Sequence, residues 1–164
     1  MVIHLNMKSL KCFIIPFFNE QEPLRSAARH ATRRATIMPL TRVSLRRGKP
    51  AVYRKAVLES LYRAMRETFD VPEGDRFMTI SEHDDDDFLY GADYLGIRRS
   101  DDLIIIQITV SNTRPVAQKQ KLYRRIAERL TESPGLRAED IFINLVEVLP
   151  ENWSFGNGEA QYVR

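Results

Sequence analysis

Polar and apolar residues alternate along Pro39–Arg46 (PLTRVSLR), which predicts a half-buried strand. Gly48-Lys49-Pro50 breaks that strand, with Pro50 where the first turn of a helix tolerates proline. The period then changes. Leu58, Leu61, Met65 and Phe69 recur at helical spacing and predict one apolar stripe. Val71-Pro72-Glu73-Gly74 stops the helix, and Phe77–Ser81 reads as a second strand. The same order then recurs. Leu103–Val110 (LIIIQITV) is β-branched and almost continuously apolar, the pattern of a central strand covered by other layers. Pro115 opens a second helix, whose expected stripe is Val116, Tyr123, Ile126 and Leu130. Ser133-Pro134-Gly135 ends it, and Ile141–Val148 (IFINLVEV) is the closing strand.

The recurrence has a fixed offset of 65 residues: Pro50 matches Pro115, Asp75 matches Asp140, and Phe77 matches Phe142. Internal repeats decide architecture. Each copy is a β-α-β crossover, in which two parallel strands carry the helix on one face. The expected fold is therefore α/β (α+β), from two fused β-α-β repeats at about 39–100 and 101–164. It has a four-stranded sheet with both helices on one face. The other face lacks cover within one chain, so oligomerisation is expected.

Charge separates the first 38 residues from the rest. The chain of 164 residues carries a net +3, of which residues 1–38 hold +4 and residues 39–164 hold −1. The basic balance thus belongs to the N-terminal segment and gives no reason to expect nucleic acid as a partner of the domain. Residues 1–38 are expected to be a basic extension that is disordered, processed, or upstream of the true start at Met38. Their Arg- and Ala-rich, acid-free stretch at 24–37 suits organellar targeting, the alternative to a cytoplasmic location. The single cysteine, Cys12, excludes an intrachain disulfide and a multi-cysteine zinc site. No apolar run approaches the roughly 20 residues needed to span a bilayer, so no membrane association is expected. The acidic run Glu82–Asp87 (EHDDDD) lacks the glycine and terminal glutamate of a calcium loop, and reads as a solvated connection. His83 has no paired ligand at helical spacing, so no metal is expected.

Several segments resemble one family. They are Met38-Pro39-Leu40, Pro-Glu-Gly-Asp-Arg-Phe at 72–77, Tyr94-Leu95-Gly96-Ile97, Arg114 with Gln118-Lys119, and Asn152-Trp153-Ser154-Phe155-Gly156. In register with the repeat, they make residues 38–164 similar to the tautomerase superfamily, in its malonate semialdehyde decarboxylase-like branch. That resemblance implies a homotrimer, no cofactor, a small carboxylate substrate, and an N-terminal proline exposed by loss of the initiator methionine.

On that resemblance Pro39 is the catalytic group. A free proline nitrogen is a secondary amine that removes a proton beside a carbonyl when neutral and donates one when cationic. Acylated by Met38 it is an amide and does neither, so the unprocessed chain is expected to be inactive. Arg114 matches an arginine that binds the substrate carboxylate, for which a guanidinium beside a helix start is chemically suited. Asn112 stands where decarboxylases of the branch have a second arginine; it supplies a hydrogen bond without charge. Asp75 matches an aspartate that activates water or polarises substrate. Its local position, shared with Asp140, also suits a turn-capping role. Trp153 and Phe155 would wall a pocket around the proline or pack at a trimer interface. The favoured activity is keto–enol tautomerisation of small, phenylpyruvate-like 2-oxo acids. The rivals are decarboxylation or hydration of malonate semialdehyde-like substrates, and a non-catalytic trimeric interaction protein in which Pro39 stays blocked.

Overall fold

The computed structural model describes residues 38–163. Apart from Met38, the basic extension expected at 1–38 lies outside the described residues. The elements run β1 (Leu40–Arg46), α1 (Ala51–Phe69), β2 (Phe77–His83), β3 (Ile104–Ser111), α2 (Val116–Glu132) and β4 (Ile141–Val148). The sheet order is β2-β1-β3-β4. β1 pairs parallel with β2 and β3 parallel with β4, while β1 and β3 join the two repeats antiparallel. This is the mixed four-stranded α+β arrangement expected from two fused β-α-β units.

Alternation decides which face carries the helices. Val43 and Leu45 of β1, and Ile104, Ile106, Ile108 and Val110 of β3, share one buried cluster. The cluster also contains Val57, Leu61 and Met65 of α1 and Leu122, Ile126 and Leu130 of α2, so both helices cover the same face. Burying each such side chain contributes about 1.5–3 kcal/mol, which makes this layer the main source of stability. The other face presents Arg42, Thr79, Gln107 and Asn144, all exposed. Gln107 Nε2 donates to Asn144 Oδ1 across it at 3.3 Å.

Two expected details are corrected. Val116 is 67% exposed, because it opens α2 at the end of the sheet; the buried stripe is Leu122, Ile126 and Leu130. β2 runs on to His83, so the acidic stretch starts inside a strand. Its acids pair with basic neighbours: Glu82 with Arg54 at 3.2 Å, Asp84 with Arg47 at 2.6 Å, and Asp85 with Arg46 at 3.5 Å.

The pairing directions also determine where chemistry can gather. Leu40 lies opposite Phe77 on one side and Thr109 on the other, and Ser111 lies opposite Val148. The beginnings of β1 and β2 and the ends of β3 and β4 therefore meet at one end of the sheet. Pro39, Asp75, Asn112 and Trp153 all lie within five residues of those strand termini.

Candidate active site

Pro39 enters β1 buried, and its neighbour Met38 is half-buried. The Met38 backbone N–H donates to Tyr162 Oη at 3.0 Å. A segment from the far end of the chain therefore closes over the residue that precedes the proline.

Asp75 is brought to the same end by the turn before β2. Gly74 adopts φ +83°, a conformation that glycine accepts without strain. Tyr62 of α1 pins this turn. Its hydroxyl accepts from the Gly74 N–H at 3.0 Å and donates to the Pro72 carbonyl at 3.4 Å. The Arg76 guanidinium lies over its ring at 3.9 Å. Both carboxyl oxygens of Asp75 are buried with no hydrogen-bond partner among the described residues. That burial disfavours the charged form and raises the carboxyl's pKa to about 6.

Its repeat mate behaves oppositely. Asp140 is fully buried but accepts from the Ser100 N–H at 2.6 Å and from Ser100 Oγ at 2.8 Å, with Arg137 3.7 Å away. One aspartate caps a loop, as its local position suggested for both. The other caps nothing among the described residues. An unsatisfied buried carboxyl costs stability, and such costs concentrate at functional sites.

Three aromatic rings line this corner. Trp153 stacks on Phe155 with centroids 5.4 Å apart, and Phe155 meets Tyr162 edge-on at 4.8 Å. Gln161 braces their loop by accepting from the Phe155 N–H at 3.0 Å and donating to the Gly156 carbonyl at 2.8 Å. The indole Nε1 of Trp153 is buried without a partner among the described residues. Burial raises the Tyr162 phenol above its ordinary pKa, and the nearby Asp75 adds to that rise against the opposing hydrogen bond from Met38. Tyr162 was not singled out from the sequence. The available signal was its place within ten residues of Trp153 and Phe155 in the segment that follows the last strand.

Asn112 and Arg114 share the same sheet end. The Asn112 N–H continues the ladder to the Val148 carbonyl at 3.0 Å, and its side chain is exposed. Arg114 is half-buried and leans on α1. Its Nη2 donates to the Phe69 carbonyl at 2.6 Å, its Nη1 to Thr113 Oγ1 at 3.3 Å, and its Cζ sits 4.9 Å over the Phe69 ring. Nε is buried without a partner among the described residues, and desolvation lowers the guanidinium below its ordinary pKa. Contacts thus link Met38, Tyr162, Phe155 and Trp153, with the Asp75 charge felt at Tyr162, whereas Arg114 bonds to Phe69 and Thr113 and feels the charge of Asp70. Among the described residues no group of three His, Cys, Asp or Glu is placed to hold a metal, and no helix is long and apolar enough to cross a membrane.

The corner offers a titratable carboxyl, a phenol and, once residue 38 is gone, a secondary amine, beside an aromatic wall. Those are parts for moving protons next to a carbonyl.

A family model described as "Tautomerase enzyme" matches residues 75–156. The Probable tautomerase YusQ of Bacillus subtilis is 39% identical over 126 residues, 77% of this chain and 99% of its own. A solved malonate semialdehyde decarboxylase, whose structures address decarboxylase and hydratase activities, is 29% identical with TM-score 0.71. It is matched over 76% of this chain and 95% of its own. A second such decarboxylase, solved inhibited by 3-bromopropiolate, is 33% identical with TM-score 0.71, over 76% and 94% of the two chains.

Proposed function

The chain belongs to the tautomerase superfamily, in its malonate semialdehyde decarboxylase-like branch, and from that premise we propose that it interconverts the keto and enol forms of a small 2-oxo acid with Pro39 as the acid–base group. The carrying observation is the convergence, at one sheet end, of buried Pro39, unpartnered Asp75 and the aromatic wall. Removal of residue 38 turns the Pro39 nitrogen from an amide into an amine. In ketonisation the cationic amine gives its proton to C3 of the enol while the enol oxygen releases its own proton to bulk water and becomes the carbonyl. The neutral amine left behind is the base for the reverse direction. Arg114 turns from the Phe69 carbonyl to the substrate carboxylate, and Asn112 adds an uncharged hydrogen bond. Trp153 and Phe155 exclude water, which strengthens every charge interaction inside.

The same site supports a second reading, decarboxylation or hydration of a malonate semialdehyde-like substrate. What favours it is Asp75, whose two free oxygens suit holding a water or a hydrated aldehyde. The sheet face left open by the helices, where Phe77 is 51% and Phe142 43% exposed, supports assembly as a homotrimer in which neighbouring subunits cover that face. The test runs the chain beginning at Pro39 in two parallel assays, enol loss from an aryl 2-oxo acid and CO2 release from malonate semialdehyde. Faster enol conversion supports the first reading. Faster CO2 release replaces it with the second, and inactivity in both removes the proline mechanism.

A further inference from the structure

We propose that Tyr62 is a positioning residue of this site: from α1 its hydroxyl holds the turn at 72–74, and so keeps the Asp75 carboxyl uncapped at the Pro39 corner. The inference rests on that corner being the active site.

The two repeats supply the comparison. At the offset of 65, Val57, Leu61 and Met65 of α1 match Leu122, Ile126 and Leu130 of α2, and all six are buried, so the two helices are in register. In that register Tyr62 matches Ala127, Gly74 matches Glu139, and Arg76 matches Ile141. The aspartates agree, but their surroundings do not. Where α2 has alanine, Asp140 accepts from the N–H and the hydroxyl of Ser100, with Arg137 3.7 Å away. Where α1 has tyrosine, both oxygens of Asp75 are buried without a partner among the described residues.

Tyr62 engages the groups that would otherwise meet this carboxyl. An aspartate in a turn ordinarily bonds to nearby backbone N–H groups. Here the Gly74 N–H goes to Tyr62 Oη at 3.0 Å, and the Asp75 N–H to the Pro72 carbonyl at 3.3 Å. The phenol donates to that same carbonyl at 3.4 Å, so one side chain grips both sides of the turn. The adjoining cation is drawn off as well. The Arg76 guanidinium lies over the Tyr62 ring at 3.9 Å and donates to Glu59 at 3.3 Å. Tyr62 is itself only 2% exposed, so its hydroxyl has little freedom to let go.

Without the hydroxyl, the Gly74 N–H loses its acceptor while two free carboxyl oxygens sit on the next residue. A change in the glycine torsions then turns the carboxyl to a backbone N–H or to water. Either partner favours its charged form and takes it from the position it holds beside the proline.

The test is a double-mutant cycle of Tyr62→Phe and Asp75→Asn on chains that begin at Pro39 and are checked by intact mass. A chain of this length stands alone as a protein, since the relative YusQ is matched over 99% of its own length, and the buried cluster lies wholly within 43–145. Phenylalanine keeps the ring beneath Arg76 and removes only the hydroxyl. With Tyr62 in place, Asp75→Asn is expected to raise the melting temperature at pH 7.5 by about 3–8 °C. In the Tyr62→Phe background that rise is expected to shrink to about 1 °C or less, or to reverse, because the carboxyl has found partners. Activity is read on whichever probe the parent chain turns over, the enol of phenylpyruvate or malonate semialdehyde. Tyr62→Phe is expected to lower kcat about ten- to a hundredfold with KM within about threefold, and Asp75→Asn to add less than about threefold to that loss. A tyrosine that only braces the fold lowers the melting temperature equally with and without Asp75→Asn, and that result overturns the inference. Unchanged kcat in Tyr62→Phe, or a rise in KM alone, also overturns it and leaves Pro39 in its role. A parent chain inactive on both probes refutes the reading of Pro39, and this inference falls with it.

Discussion

Replacing Asp75 with asparagine should stabilise the protein at neutral pH while impairing catalysis. The carboxyl is buried with two unpartnered oxygens, and burial raises its pKa from 3.8 to about 6. A group whose folded pKa is raised contributes fully below the unfolded value and loses that contribution as pH rises through the folded one. For Asp75 the loss falls between pH 3.8 and about 6. At full value a shift of this size corresponds to about 3 kcal/mol. Partial solvent access at the mouth of the site reduces it to about 1–2 kcal/mol. Asparagine is neutral at every pH and carries no such penalty. The chain beginning at Pro39 with Asp75→Asn should therefore melt about 3–8 °C above wild type at pH 7.5. The gap should close at pH 4, where both forms are neutral at this position. Thermal melts followed by circular dichroism at both pH values measure it. Asp140→Asn is the internal control. Asp140 accepts two hydrogen bonds from Ser100, so weakening this charge-assisted cap should cost about 1.5–3 kcal/mol at pH 7.5. An Asp75→Asn protein no more stable than wild type at pH 7.5, or a gap that persists at pH 4, would refute the assignment of Asp75 as a carboxyl strained by burial.

Arg114→Ala should lower kcat/KM for a 2-oxo acid by about ten- to a hundredfold, as expected for a lost charge-assisted hydrogen bond. Because Arg114 also braces the Phe69 carbonyl, the control is the corresponding neutral amide substrate. An equal loss on both substrates would assign the residue to structure alone. Light scattering on the chain beginning at Pro39 should give three times the subunit mass, and a stable monomer at micromolar concentration would contradict the covered-face argument.

The sheet and both helices were legible because burial is written as periodicity. Val43 and Leu45 alternate with polar neighbours, Leu61, Met65 and Phe69 return at helical spacing, and all five are at most 2% exposed. The 65-residue offset added the topology. Val116 misled because apolarity alone does not say whether a helix's first turn lies over the sheet or beyond it. The two aspartates were inseparable from sequence, since their difference is a partner: Ser100 reaches Asp140 from forty residues away, and no equivalent among the described residues reaches Asp75. Tyr162 was hidden for a similar reason. Its contact with Met38 joins positions 124 residues apart, and no local pattern encodes such a pair. Arg114 was located correctly at the entrance to α2, but its hold on the Phe69 carbonyl follows from how two helices pack.

The claim on which the account turns is that the Pro39 nitrogen does the chemistry. It is tested most directly by measuring enol-to-ketone conversion of phenylpyruvate by two samples verified by intact mass. One begins at Pro39 and the other retains Met38 through an uncleaved bond. An amine and an amide at the same position differ in proton affinity far more than any neighbouring group could offset. The account predicts turnover by the first and only the uncatalysed rate with the second. Equal rates from the two samples would contradict it.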